Sequence, residues 1–428
     1  MDKKIFELYT NLRSALSFHD VFKKVMCLLF LKKATTYAAD LNFNKKETLI
    51  CANEMMRKID IAKNGGEPIN VVDIQNFLTT IDDDLSAFGP KFSSLSTVYY
   101  ELFANVSKQR DILNIMSSIN LDDEDTIDMI VDGALETEHM VARKFYTHES
   151  ILKLATRLLK LTNDDKLIDC YSGLSMFYSK NKCDLEYTGF EIDEQVAALS
   201  RINLLLRKKT KFEIKSKDFL KENIEIKANK IFADAILLNS DYNPELAKEL
   251  SLETKENMAL SILKIANHLE KDGTAVITVP AKVLFSRISS YCEMRKRLTM
   301  GPGLYAVIQL PNLAGSAFAM PSNILVIKEG YDGNVHFVDA TSFTDDKRDT
   351  LLSDDDIEKI ANAIENDLNE PGFSGMEQRL TVTCEGVWLC NKYIAQKEEH
   401  NFRSTKEIDK ELKGLYKQLK ELMKEGDN

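Results

Sequence analysis

Between residues 166 and 327 short β-rich runs alternate with helical stretches, and this restricts the fold more than any other feature of the chain. The runs are 166–171, 187–192, 212–215, 233–239, 274–279, 305–310 and 323–327, and helical periodicity fills 194–207 and 255–269. Strands separated by helices pair in parallel, because a parallel pair needs a long crossover. The expected fold is therefore α/β: a mostly parallel, doubly wound sheet with helices on both faces. The last two runs are joined by a short loop with no good helix, which predicts an antiparallel β-hairpin at one edge of the sheet.

Ahead of this region, about the first 140 residues read as helix. Apolar residues recur at three- and four-residue spacing, as in Ile5, Leu8 and Leu12, then Val21, Val25, Leu28 and Leu29. Residues 25–31 are apolar on nearly all sides, so that helix is expected to be buried in a bundle. At the other end, Ile408, Leu412, Leu415, Leu419 and Leu422 form a short heptad seam. It is too short to stand alone and packs either on its own domain or on a helix of another subunit. The reading divides the chain into a helical domain at 1–140, an α/β domain at 141–395 and a C-terminal amphipathic or coiled-coil helix at 396–428.

The strand ends carry the chemistry. The first run leads through Asp169 into Gly173, Leu174 and Ser175; the second ends at Glu191; Asp218 and Phe219 follow the third. Any one of these is commonly a solvated or structural residue. In this order they resemble class I S-adenosylmethionine methyltransferases, which bind their cofactor where the strand order reverses. The resemblance implies a glycine turn at Gly173 that lets backbone approach the ligand. It also implies ribose hydroxyls on Glu191, the adenine amino group on Asp218, and Phe219 packed on the ring. An NAD-type site is disfavoured, since no G-x-G-x-x-G follows the first run.

A narrower resemblance covers the chain from about residue 8 to the C-terminal helix. Phe145-Tyr146-Thr147-His148 is similar to the F/Y-T-P element that opens the cofactor region in methylation (M) subunits of type I DNA restriction–modification systems. Asn203-Leu204-Leu205-Leu206 after Glu191-Ile192, and Leu310-Pro311-Asn312 through Asn323-Ile324-Leu325-Val326, match further family stretches, as do Leu12-Arg13 and Leu28 to Lys33. The resemblance implies N6-adenine DNA methylation with S-adenosylmethionine as the only cofactor and no metal. It places Phe145, Thr147, Asp169, Gly173, Glu191, Asp218 and Phe219 at the cofactor. The partners it implies are double-stranded DNA and a separate specificity (S) subunit, because no target-recognition domain is visible, together with a second M or M-like subunit and a restriction subunit.

N6-adenine enzymes end their fourth strand in Asn/Asp-Pro-Pro-aromatic. The amine is extruded from the duplex, held by acceptors and placed in line with the methyl donor. Here the sequence is Asn239-Ser240-Asp241-Tyr242. Asn239 remains an acceptor and Tyr242 can stack, but the rigidity of two prolines is gone. In the cofactor loop, Ser175 stands where the family has its second glycine and Cys170 where it has proline. Two readings stay open: an active methyltransferase subunit, or a catalytically inactive methyltransferase-like DNA-binding or scaffold subunit.

Composition narrows the setting. The net charge of −11 argues against a chain that coats DNA unaided, so positive charge comes from a local groove or from another subunit. Arg207-Lys208-Lys209-Thr210-Lys211 and Arg295-Lys296-Arg297 are the candidate basic stretches, each also readable as ordinary helix surface. Seven scattered cysteines without a CxxC pair fit free thiols in a reducing cytoplasm. No apolar run is long enough to span a bilayer, and the first residues lack the pattern of a secretory signal.

Overall fold

The computed structural model describes residues 21–41, 43–85, 89–137, 147–235, 243–301, 303–311, 313, 322–343, 351–396, 410 and 412–415. They fall into two compact units that divide between Ile394 and Ala395. The second unit shows helix at 410 and 412–415, with Leu412 and Leu415 exposed. Ile408, Leu419 and Leu422 of the seam lie outside the described residues.

In the first unit one sheet holds the strands β1 (Lys166–Asp169), β2 (Glu186–Glu191), β3 (Phe212–Ser216), β4 (Ala228–Asp234), β5 (Leu269–Pro280), β6 (Leu304–Gln309), β7 (Ser322–Lys328), β8 (Val335–Asp339) and β9 (Ser374–Glu377). Their order is β3-β2-β1-β4-β5-β7-β6-β8-β9. The five strands from β3 to β5 are parallel, β7 enters antiparallel between β5 and β6, β8 runs parallel to β6, and β9 is antiparallel. This is the expected class I methyltransferase-like α/β sheet. Strand residues alternate between two cores: Leu167 and Phe232 face one, and Ile168, Ile231 and Ala233 the other.

Two expectations need correction. The fourth strand is 228–234, not 233–239. Its polar start hid it, although Asn229 donates to Asp165 (2.6 Å) and Lys230 to the Leu159 carbonyl (2.7 Å). The β6–β7 pair exists but is not at an edge, because β8 and β9 extend the sheet beyond it. Those two strands carry little β signature. A buried His336 interrupts one, and the other contains Gly375, where a Cβ would come within 2.6 Å of the Tyr393 carbonyl.

Of the helices between 21 and 137, Val21–Thr36 and the short Phe92–Leu95 turn pack directly on the helix Glu194–Leu206, and all belong to the same compact unit as the sheet. Val25 to Leu31 are all buried, as their all-round apolarity requires. Arg201 anchors the contact. It donates to the Pro90 carbonyl at 2.9 Å and to that of Leu85, and its guanidinium lies 4.4 Å from the Phe92 ring centroid. Phe92 in turn stacks on Phe30 at 4.3 Å. Among the described residues no helix is long and apolar enough to cross a membrane, and none of the Cys, His, Asp and Glu residues group as a metal site.

Candidate functional site

The strand order reverses between β1 and β4, and there β1 delivers Asp169. The carboxylate is 1% exposed. Its Oδ2 accepts from the Tyr187 hydroxyl at 3.2 Å, whereas Oδ1 is buried without a hydrogen-bond partner. Burial pushes the carboxyl up to about 7, with the Asp234 and Glu191 carboxylates adding to the rise and Tyr187 opposing it.

After Asp169 the chain turns through Gly173, at φ +50°, and Ser175, at φ +53°. The left-handed region costs a non-glycine residue about 1–2 kcal/mol. Ser175 offsets this with its hydroxyl, which is 2.6 Å from Ser200 Oγ and 2.8 Å from the Tyr187 hydroxyl. Its side chain is wholly buried in these contacts, so the serine is accommodated beneath the loop. The helix Glu194–Leu206 grips the same loop a second time, as Asn203 donates to the Leu174 carbonyl at 2.8 Å. Behind Asn203 stands Arg207, which donates to the Asn203 side-chain oxygen and to Asp128 in the N-terminal helices. The loop lies close on β2: the Ser172 amide donates to the Phe190 carbonyl at 2.8 Å. Only glycine fits at 189, where a Cβ would meet Ser172 Cβ at 3.0 Å and the Tyr187 hydroxyl at 2.9 Å.

Glu191 ends β2. Its carboxylate accepts from the Asp193 amide at 2.8 Å, and burial raises its pKa against the pull of the Asp193, Ile192 and Gly173 amides. The Glu191 carbonyl accepts from the Lys217 amide at 3.0 Å, which brings the Asp218 turn alongside. Asp218 accepts from the Leu220 amide at 2.9 Å. The structure therefore gathers Asp169, Gly173, Glu191 and Asp218 on the carboxyl edge of neighbouring strands.

Phe219 departs from expectation. It is 1% exposed and enclosed edge-on by Tyr171, Phe190 and His268, with Lys264 Nζ 5.1 Å from its centroid. It has no open face for a ligand ring and instead secures the Asp218 turn. The exposed apolar residue here is Ile192, at 64%. Sequence reading passed over it, although an exposed isoleucine directly after a site carboxylate is itself a signal.

Phe145, Asn239 and Tyr242 lie outside the described residues. Thr147 is half-buried, and His148 caps the helix Glu149–Leu159 by accepting from the Ser150 amide at 3.2 Å. On the two sides of 236–242, Asp234 accepts from Thr278, and Asn243 donates to the Leu220 carbonyl at 2.7 Å while capping Pro244–Glu249. The described residues that flank 236–242 thus stand at the end of β4 and beside the Asp218 turn.

The basic stretches divide. Arg207 is occupied as above, and Lys209 donates to the Asn181 and Cys183 carbonyls. Arg295 is 1% exposed and donates to the carbonyls of Val283, Ser286 and Gly386, so it is unavailable to phosphate. Lys208 and Lys296 remain exposed.

The profile of one family, N-6 DNA Methylase, matches residues 134–402. No match is found among curated proteins. The type I restriction-modification system methyltransferase subunit from Streptococcus thermophilus superposes with a TM-score of 0.71 at 17% identity, covering 92% of this chain and 99% of its own. A chain from a type I R-M system studied for complex assembly and conformational transition gives 0.67 at 14% identity, covering 98% and 96%.

Proposed function

The chain belongs to the N-6 DNA methylase family, whose cofactor is S-adenosylmethionine, and from that membership we propose that it is the M subunit of a type I restriction–modification assembly, methylating the N6 amine of adenine in double-stranded DNA. Asp169 and the Gly173 turn hold the amino-acid part of the cofactor, Glu191 its ribose hydroxyls and Asp218 its adenine amine, with Ile192 as an apolar face for the ring. Thr147 and Phe145 close the site from the start of the domain. Asn239 accepts from the target amine and Tyr242 stacks on the extruded base. The cofactor supplies a methyl group on a sulfonium, so the protein's task is positioning rather than strong-base chemistry. The single observation that carries the cofactor assignment is Asp169 Oδ1: a buried carboxylate oxygen without a donor is costly unless a ligand supplies one.

A separate S subunit reads the DNA sequence in this proposal, and a second M subunit and a restriction subunit complete the assembly in the cytoplasm. The inactive-scaffold reading is not favoured. Ser175, one of the departures behind it, is accommodated beneath the loop by hydrogen bonds. The test is calorimetric titration with S-adenosylmethionine, followed by methyl transfer to cognate DNA with the S subunit present. Glu191→Ala is expected to weaken cofactor binding at least tenfold (roughly one charged hydrogen bond). A folded chain that transfers no methyl group with the correct subunit and DNA refutes the proposal.

A further inference from the structure

Beneath the cofactor loop four side chains from separate elements are linked through hydroxyl groups. Ser200, on the helix Glu194–Leu206, lies 2.6 Å from Ser175; Ser175 lies 2.8 Å from the Tyr187 hydroxyl on β2; Tyr187 reaches Asp169 Oδ2 on β1 at 3.2 Å. All four are buried. With Asp169 ionised and one proton on each hydroxyl, only one order lets all three hydroxyls donate along the chain. Ser200 donates to Ser175, Ser175 to Tyr187 and Tyr187 to the Asp169 carboxylate, which has no proton to give.

We propose that Tyr187 is a positioning residue for cofactor capture: supported by Ser175 and Ser200, it fixes one oxygen of Asp169 and leaves Oδ1 as a preset acceptor for the cofactor's ammonium group. The serine at 175 is then a functional replacement of the glycine and no mark of decay. It gives up glycine's ease at φ +53° and gains a hydroxyl that no glycine could offer Tyr187. This inference rests on the proposed cofactor role of Asp169.

Charge makes the arrangement sensitive to acid. Asp169 is faced by Tyr187 and Glu191 from β2, by Asp234 from β4 and by the adjoining Cys170 thiol, with no cation among them. The Tyr187 hydroxyl at the end of the chain is the largest influence favouring the ionised form against burial, and the Tyr171 backbone amide adds to it. Removing that hydroxyl raises the carboxyl's pKa, so the neutral form, which cannot pair with an ammonium, persists to higher pH.

The test is a calorimetric titration of the full chain with S-adenosylmethionine between pH 5.5 and 8. For the wild type, affinity is expected to fall as the pH drops below about 7. In Tyr187→Phe that fall should begin about one pH unit higher. Affinity at pH 7 would then drop about fivefold, while at pH 8 the variant would stay within about twofold of the wild type. Ser200→Ala, at the far end of the chain, should shift the profile the same way by less, and it keeps the test open if Tyr187→Phe does not fold. Simple structural damage would lower affinity equally at every pH. A wild type that binds while both variants keep its pH profile overturns this inference alone. A folded wild type that does not bind at any pH overturns the cofactor assignment and this inference with it.

Discussion

Arg201→Ala should loosen the N-terminal helices while leaving the sheet intact. Arg201 is 1% exposed; its two terminal nitrogens donate to the carbonyls of Pro90 and Leu85 and its guanidinium lies over the face of Phe92, while Nε is buried without a partner. Truncation leaves two buried carbonyls without their donor, at about 1–3 kcal/mol each. It also forfeits the ring contact, about 1 kcal/mol. Against this stands relief of the burial that draws the Arg201 pKa down to about 10. The net expectation is about 2–4 kcal/mol, a factor of roughly 30 to 1,000 in the local opening constant. A chain of this length need not unfold in two states, so a single melting curve is the wrong assay. Amide hydrogen exchange resolves the lesion by position. Amides in the helices Val71–Leu85 and Ser96–Phe103 should exchange faster by that factor, while β1, β4 and β5 keep their protection. Arg201→Lys should not rescue, because an ammonium cannot span both carbonyls and lie flat on the ring. Unchanged exchange at 71–103, or equal loss in the sheet, would refute the argument.

Further outcomes follow from other contacts. Gly189→Ala should push Ser172 off β2, lowering stability by about 1–3 kcal/mol and cofactor affinity several-fold, read by thermal unfolding and calorimetry. Glu365→Gln removes the carboxylate that Arg157, aided by Lys160, holds down at about 2. Its stabilising effect, about 1 kcal/mol for an ion pair at the surface, should be complete above pH 4.5 and fade as the pH falls toward 2; an equal deficit across that range would count against the pairing. Trp388→Ala empties a fully buried site and frees Thr299 from the indole N–H, so a loss of about 3–5 kcal/mol is expected by urea titration.

Most of the parallel half of the sheet was legible in the sequence because breaks separate its strands, and β1, β2 and β3 lead into the residues a ligand site needs; β4 was placed five residues late because its start is polar. The antiparallel half was legible only in part. β8 and β9 depend on partners brought from far along the chain, Gly375 against Tyr393 for one, and such tertiary demands leave little local signature. The candidate site divided in the same way. Asp169, Glu191 and Asp218 announced themselves as carboxylates at strand ends. Tyr187 read as one more apolar position within a strand, since nothing in its neighbourhood states where its hydroxyl goes. Phe219 misled for the opposite reason: an aromatic beside a site carboxylate looks available until the rings that enclose it are in view.

The line from Asp128 through Arg207 and Asn203 to the Leu174 carbonyl joins the N-terminal helices to the cofactor loop in three steps. It works as a strut. Without the helical region Arg207 loses Asp128, the far support of the line, and Asn203 is left to hold the loop with one brace fewer. Part of the cofactor loop's support thereby comes from outside the sheet and its own helices, so an α/β segment expressed alone would keep the sheet and lose one prop of its loop.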